Sequence, residues 1–68
     1  MEINTIQDVW DAISGEKAIN SKVEGDLTLE EYALKDGTYL QVALDASIGN
    51  DPVEWVVLEE ETDWWVVG

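Results

Sequence analysis

Three consecutive glutamates, Glu59, Glu60 and Glu61, stand with Asp63 between the apolar runs Trp55–Leu58 and Trp64–Val67, and no basic residue follows them. Crowded carboxylates admit three kinds of chemistry: acid–base work by a pair, coordination of a hard cation, or presentation of negative charge to a basic partner. Catalysis fits worst. The chain has no His, Cys or Arg, so the commonest general base and the thiol nucleophile are both missing. With 16 Asp and Glu among 68 residues, some pair must lie close, so proximity alone does not mark a catalytic dyad. No enzymatic activity is expected.

Cation binding fares little better. The stretch DASIGND carries oxygen side chains at Asp45, Ser47 and Asp51. It lacks the Gly at the sixth position and the closing Glu at the twelfth that a calcium loop needs. It reads as a turn, and neither metal nor cofactor is expected.

Charge presentation remains. Against the 16 acids stand three Lys, for a net charge of −13. Such acidity suits a disordered chain, but 46% of the residues are hydrophobic, and they are patterned. Solubility alone would be served by a net charge of about 2–8 in magnitude, and the excess repels itself within a compact body. Direct nucleic-acid binding is disfavoured, because phosphate contacts need Lys and Arg. The charge instead resembles that of nucleic acid. Duplex DNA carries one charge per about 1.7 Å, so 16 phosphates span roughly 27 Å, close to the roughly 28 Å diameter expected of a globule of this length.

The elements that must position these acids can be read from periodicity. One domain is expected over residues 1–68. Ile6, Val9, Trp10 and Ile13 fall at helical spacing within residues 5–14, with Thr5 and Asp8 as an approximate capping box and Gly15 as the stop. Residues 16–26 read as loop with a short extended piece near Val23. Residues 27–37 support two readings. A helix would be capped at Thr28 with Glu31 three residues on. A strand would turn back at Asp36-Gly37, with Ala33 opposite Leu40 and with Leu27, Leu29 and Ala33 sharing the face of Leu40, Val42 and Leu44; Glu31 then spoils that inner face. Residues 38–46 alternate cleanly as a strand, and 53–59 with 64–67 read as a hairpin around EETD. The fold class is therefore α+β, an N-terminal helix packed on a three- or four-stranded antiparallel β-sheet. Without disulfides, so small a core is expected to draw on the four Trp and two Tyr. Either Trp64 or Trp65 should face outward, as a partner anchor or packed across the strand on Trp55 or Tyr39.

MEINTIQDVW has no basic start followed by a long apolar stretch, which predicts no signal peptide. No apolar run approaches the roughly 20 residues of a membrane helix. A soluble, cytoplasmic protein is expected, either monomer or homodimer.

Small, very acidic, His- and Cys-free chains of this kind resemble phage and plasmid inhibitors of host defence, the anti-CRISPR proteins and antirestriction DNA mimics. QDVWDAI (residues 7–13) with the later EEYALKD (30–36) is similar to a helix and an acidic–aromatic strand segment of ArdA-type antirestriction proteins. That resemblance implies that residues 28–34 form a strand and that Glu30, Glu31 and Asp36 belong to a mimicking surface. The expected function is non-enzymatic inhibition, by occupying the basic DNA- or RNA-binding groove of a host defence complex in the host cytoplasm. The candidate partner-binding residues are Asp26, Glu30, Glu31, Asp36, Asp45, Asp51, Glu54, Glu59, Glu60, Glu61 and Asp63, with Trp64 or Trp65 as anchor. The alternatives are an immunity or antitoxin protein shaped to one basic toxin, and a plain acidic interaction domain.

Overall fold

Thr5 starts the helix α1 (Ile6–Ile13) with a complete capping box in the computed structural model, which describes residues 2–61. The Thr5 hydroxyl accepts the Asp8 amide at 3.1 Å, and Asp8 Oδ2 accepts the amides of Thr5 (3.1 Å) and Asn4 (2.9 Å). Four amides at a helix start lack internal partners, and these bonds engage three main-chain donors at that end. The Asn4 amide, ahead of the Thr5 groups and against a little desolvation, holds the Asp8 carboxyl below its usual range. Asp8 therefore supports the helix above about pH 4 and ceases to do so as the pH falls through its lowered value.

Among the described residues four strands follow: β1 (Asn20–Glu24), β2 (Leu27–Ala33), β3 (Tyr39–Asp45) and β4 (Asp51–Leu58). They form an antiparallel sheet in chain order, β1-β2-β3-β4. Gly25-Asp26 joins β1 to β2, with Gly25 at φ +60° in the first central position, where a type II′ hairpin turn requires glycine. Residues 46–48 form a single 3₁₀ turn between β3 and β4. The radius of gyration is 11.0 Å, the value expected for a compact chain of this length.

Of the two readings of residues 27–37, the strand is found, but in a different register. Leu34 donates its amide to the Thr38 carbonyl at 2.8 Å, so the turn has three residues, Lys35-Asp36-Gly37, with Gly37 at φ +88°. Three-residue hairpin loops place a left-handed residue at that last position, which glycine adopts without steric cost. Tyr32 then faces Leu40, and Ala33 faces Tyr39. A one-residue shift exchanges the two faces of a strand. Thr28, Glu30 and Tyr32, rather than Leu27, Leu29 and Ala33, share the face of Leu40, Val42 and Leu44.

That face carries the core. Val9 and Ile13 of α1 pack with Tyr32, Leu34, Leu40, Val42 and Leu44, and Ile3, Ala12, Ala18, Trp55 and Val57 pack around them. The Trp55 indole Nε1–H donates to the Ile3 carbonyl at 3.3 Å, tying the segment before the helix to β4. The core is more aliphatic than the composition suggests: among the described residues Tyr32 is the buried aromatic, and Trp55 is half-buried. The apolar stripe of α1 is also narrower than its spacing implies. Val9 and Ile13, four apart, face the sheet, whereas Ile6 and Trp10 flank that line and stay exposed. Between Ala43 and Leu44 the β3–β4 register slips, leaving Val53 as the extra residue and turning Pro52 into the buried position opposite Leu44.

Candidate acidic interaction surface

Strand register sorts the predicted carboxylates into two groups at opposite ends of the sheet. At one end Glu24, Leu27, Asp45 and Asp51 face one another in a transverse row across all four strands. Asp26 stands beside this row in the β1–β2 turn, whose carbonyl accepts the Ala46 amide at 2.7 Å. Asp45 is also held: its Oδ1 accepts the Ser47 hydroxyl at 2.6 Å and the Ser47 amide at 2.9 Å. These two bonds, the hydroxyl foremost, keep the Asp45 carboxyl below its usual range and so ionised. At the other end, Asp36 occupies the β2–β3 loop, and Glu59, Glu60 and Glu61 follow the last residue of β4. Asp36 Oδ1 accepts the Thr38 hydroxyl at 2.5 Å and the Thr38 amide at 3.0 Å. Seven-residue strands separate the two groups by roughly 20 Å at about 3.3 Å per residue.

The remaining candidates lie between these ends. Glu54 is exposed on β4, opposite Ala43. Glu30 is half-buried on the core face, where its Oε1 accepts the Tyr32 hydroxyl at 2.9 Å. Glu31 departs from the expectation for a surface acid, because it is only 3% exposed. Its Oε1 accepts Asn20 Nδ2 at 2.8 Å and its Oε2 accepts Gln41 Nε2 at 2.9 Å. Asn20, Glu31 and Gln41 stand side by side across β1, β2 and β3. The shifted register causes this. It removes Glu31 from the inner face and sets it on the opposite face, next to two amides that can satisfy both oxygens. Asp63, Trp64, Trp65 and the hairpin expected from 53–59 with 64–67 involve residues outside the described ones.

Glu24 was not among the sequence candidates, yet it completes the transverse row. The signal for it was the Gly25-Asp26 turn, which pins the last residue of β1 to the first of β2. Glu24 also accepts Lys22 Nζ at 2.8 Å along the exposed strand. Among the described residues no group of three or more acids is placed to hold a metal ion, and no helix is long and apolar enough to cross a membrane.

The Tyr32–Glu30 contact has a measurable signature. Burial, then the hydrogen bond and charge of Glu30, push the Tyr32 phenol up to about 12. Its unfolded value is about 10. The folded state thus keeps a proton that the unfolded chain has lost. The contribution is complete below pH 10 and disappears as the pH rises from about 10 to about 12. Urea midpoints should fall across that window, and the fall should be shallower in Tyr32→Phe; equal slopes would show that Tyr32 does not govern the alkaline limb.

Comparison with protein-family models, characterised proteins and solved structures gave no match.

Proposed function

We propose that this chain is a non-enzymatic inhibitor that presents nucleic-acid-like charge to the basic groove of a DNA- or RNA-binding protein, of the kind found in restriction or CRISPR defence. The observation that supports the reading most is the density and placement of exposed carboxylate. The body measures 31 × 26 × 20 Å, and the chain carries 16 acids, of which Glu31 is buried. A duplex segment of the same 31 Å carries roughly 18 phosphate charges. Eight acids named above stand at the two ends of a hydrogen-bonded sheet, on tight turns and at or just beyond strand termini rather than on long loops. A preformed charge array loses little conformational freedom on binding, and its field speeds encounter with a basic surface. The likeness of residues 7–13 and 30–36 to ArdA-type antirestriction proteins points the same way. The buried position of Glu31 leaves Glu30 and Asp36 as the members of that motif with solvent access.

Retention of partners from a host lysate tests the reading, with release by duplex DNA or by raised salt. A nucleic-acid-binding complex displaced by DNA is expected. A single small basic protein retained regardless of DNA would instead identify an immunity or antitoxin function, and the absence of any partner at low salt would leave the charge as a solvating feature. On the captured complex, Glu60→Lys with Glu61→Lys should slow association by about tenfold and flatten its dependence on ionic strength. An unchanged rate would remove the end of β4 from the contact surface.

A further inference from the structure

Among the described strands, β1 alone has every residue exposed. It forms one edge of the sheet, and the hydrogen-bond pattern shows which of its main-chain groups face outward. Leu34 and Thr38 are a bonded pair, so alternation along the ladder directs the main-chain groups of Thr28, Glu30 and Tyr32 to β3 and those of Leu27, Leu29 and Glu31 to β1. The Ile19 amide, on the Glu31 carbonyl at 2.7 Å, agrees with this assignment. Across from them, Glu24, Lys22 and Asn20 turn their main-chain groups into the sheet, and Ser21 and Val23 turn theirs toward solvent. Natural sheets blunt exposed edges with proline, bulges or charge. β4 has Pro52 and the bulge at Val53. β1 has neither, and its one Lys is accompanied two residues on by Glu24.

We propose that β1 pairs antiparallel with β1 of a second copy, about a two-fold axis at Val23, joining two four-stranded sheets into one of eight strands. The charge pattern selects both the occupant and the register. Outward-facing residues must meet outward-facing residues, which limits the axis to a few positions along the strand. An axis at Lys22 sets Lys against Lys, and one at Glu24 sets Glu against Glu. An axis at Ser21 brings no opposite charges together. The axis at Val23 bonds Val23 to its own copy and places Lys22 across from the partner's Glu24 twice over, in non-bonded pairs, where side chains approach most closely. Lys22 and Glu24 already hold each other at 2.8 Å within one strand, so the two copies exchange equivalent partners. Val23, 69% exposed in the single chain, is covered by its twin. The opposing force is the −13 carried by each copy. That repulsion is long-ranged and is screened as the Debye length falls from about 30 Å at 0.01 M salt to about 8 Å at 0.15 M. Association should therefore strengthen with salt, the reverse of the salt response expected for a basic partner, and it stands independently of the inhibitor reading.

Sedimentation equilibrium of the full chain over a wide concentration range tests the pairing. The mass should rise from 7.6 kDa toward twice that value, and at lower concentration when salt is raised. Lys22→Glu and Glu24→Lys alter exposed side chains, and each alone sets like charges across the axis; each should weaken self-association by at least about tenfold. An equimolar mixture of the two variants restores opposite charges at both positions and should associate within about threefold of the unaltered chain. A mass that stays at 7.6 kDa throughout would overturn the proposal. So would single variants that associate as well as the unaltered chain, or a mixture that remains monomeric.

Discussion

Replacing Gln41 with leucine should cost the domain about 3 kcal/mol, although leucine is apolar and similar in volume. Gln41 is 1% exposed, and its Nε2 is the donor to Oε2 of the buried Glu31. Leucine leaves that oxygen beside hydrocarbon with no donor in place of the amide. The loss is a large share of the roughly 3–10 kcal/mol that a domain of this length possesses. Removing the carboxylate as well should reverse much of it, because the penalty comes from an unsatisfied buried charge and not from the missing amide. Glu31→Leu with Gln41→Leu should accordingly be more stable than Gln41→Leu alone, measured as urea midpoints at unchanged slope. A Gln41→Leu midpoint indistinguishable from that of the unaltered chain would show that the carboxylate finds another donor.

Leu40→Ala should destabilise by about 2–5 kcal/mol and lower the melting temperature by roughly 10–30 °C. Leu40 is 0% exposed, sits opposite Tyr32 and Val57, and belongs to the cluster beneath Val9 and Ile13. Truncation removes buried methyl groups and leaves a void that strands hydrogen-bonded on both sides cannot easily close. Ile48→Ala, in the exposed 3₁₀ turn, removes a similar amount of hydrocarbon and should change stability by no more than about 0.5 kcal/mol. Comparable losses at the two positions in thermal melts would contradict this placement of the core.

The helix and β3 were legible because their periods are unambiguous. Thr5 and Asp8 cap where the sequence suggests, and Leu40, Val42 and Leu44 line one face. Residues 27–37 were not legible, because LTLEEYALKDG meets the capping rules of a helix and the turn rules of a strand at once. The register failed for a narrower reason. Asp36-Gly37 reads as a two-residue turn, but Gly37 serves as the third residue of a longer loop, and one residue decides which face every side chain occupies. That difference alone moved Glu31 from the face of Leu40, Val42 and Leu44 to the opposite face, beside the Asn20 and Gln41 amides, and moved Tyr32 into the core. Asp26 and Asp36 in turns, and Asp45 and Asp51 at the strand ends flanking another connection, were easier to place, since residues in or beside turns tend to lie at the surface whatever the register. Their assembly into a row with Glu24 was not readable, because it depends on pairing between strands far apart in sequence.

The sheet order, identical to the chain order, bears on how the domain reaches its native state. Each strand pairs with its immediate predecessor through a connection of two to five residues. Closing loops this short costs little chain entropy, so the ladder can grow one hairpin at a time without waiting for distant segments to meet. The link from Trp55 to the Ile3 carbonyl, by contrast, spans almost the whole described chain. It can form only once β4 is in place, which makes docking of the amino-terminal segment a late event in assembly.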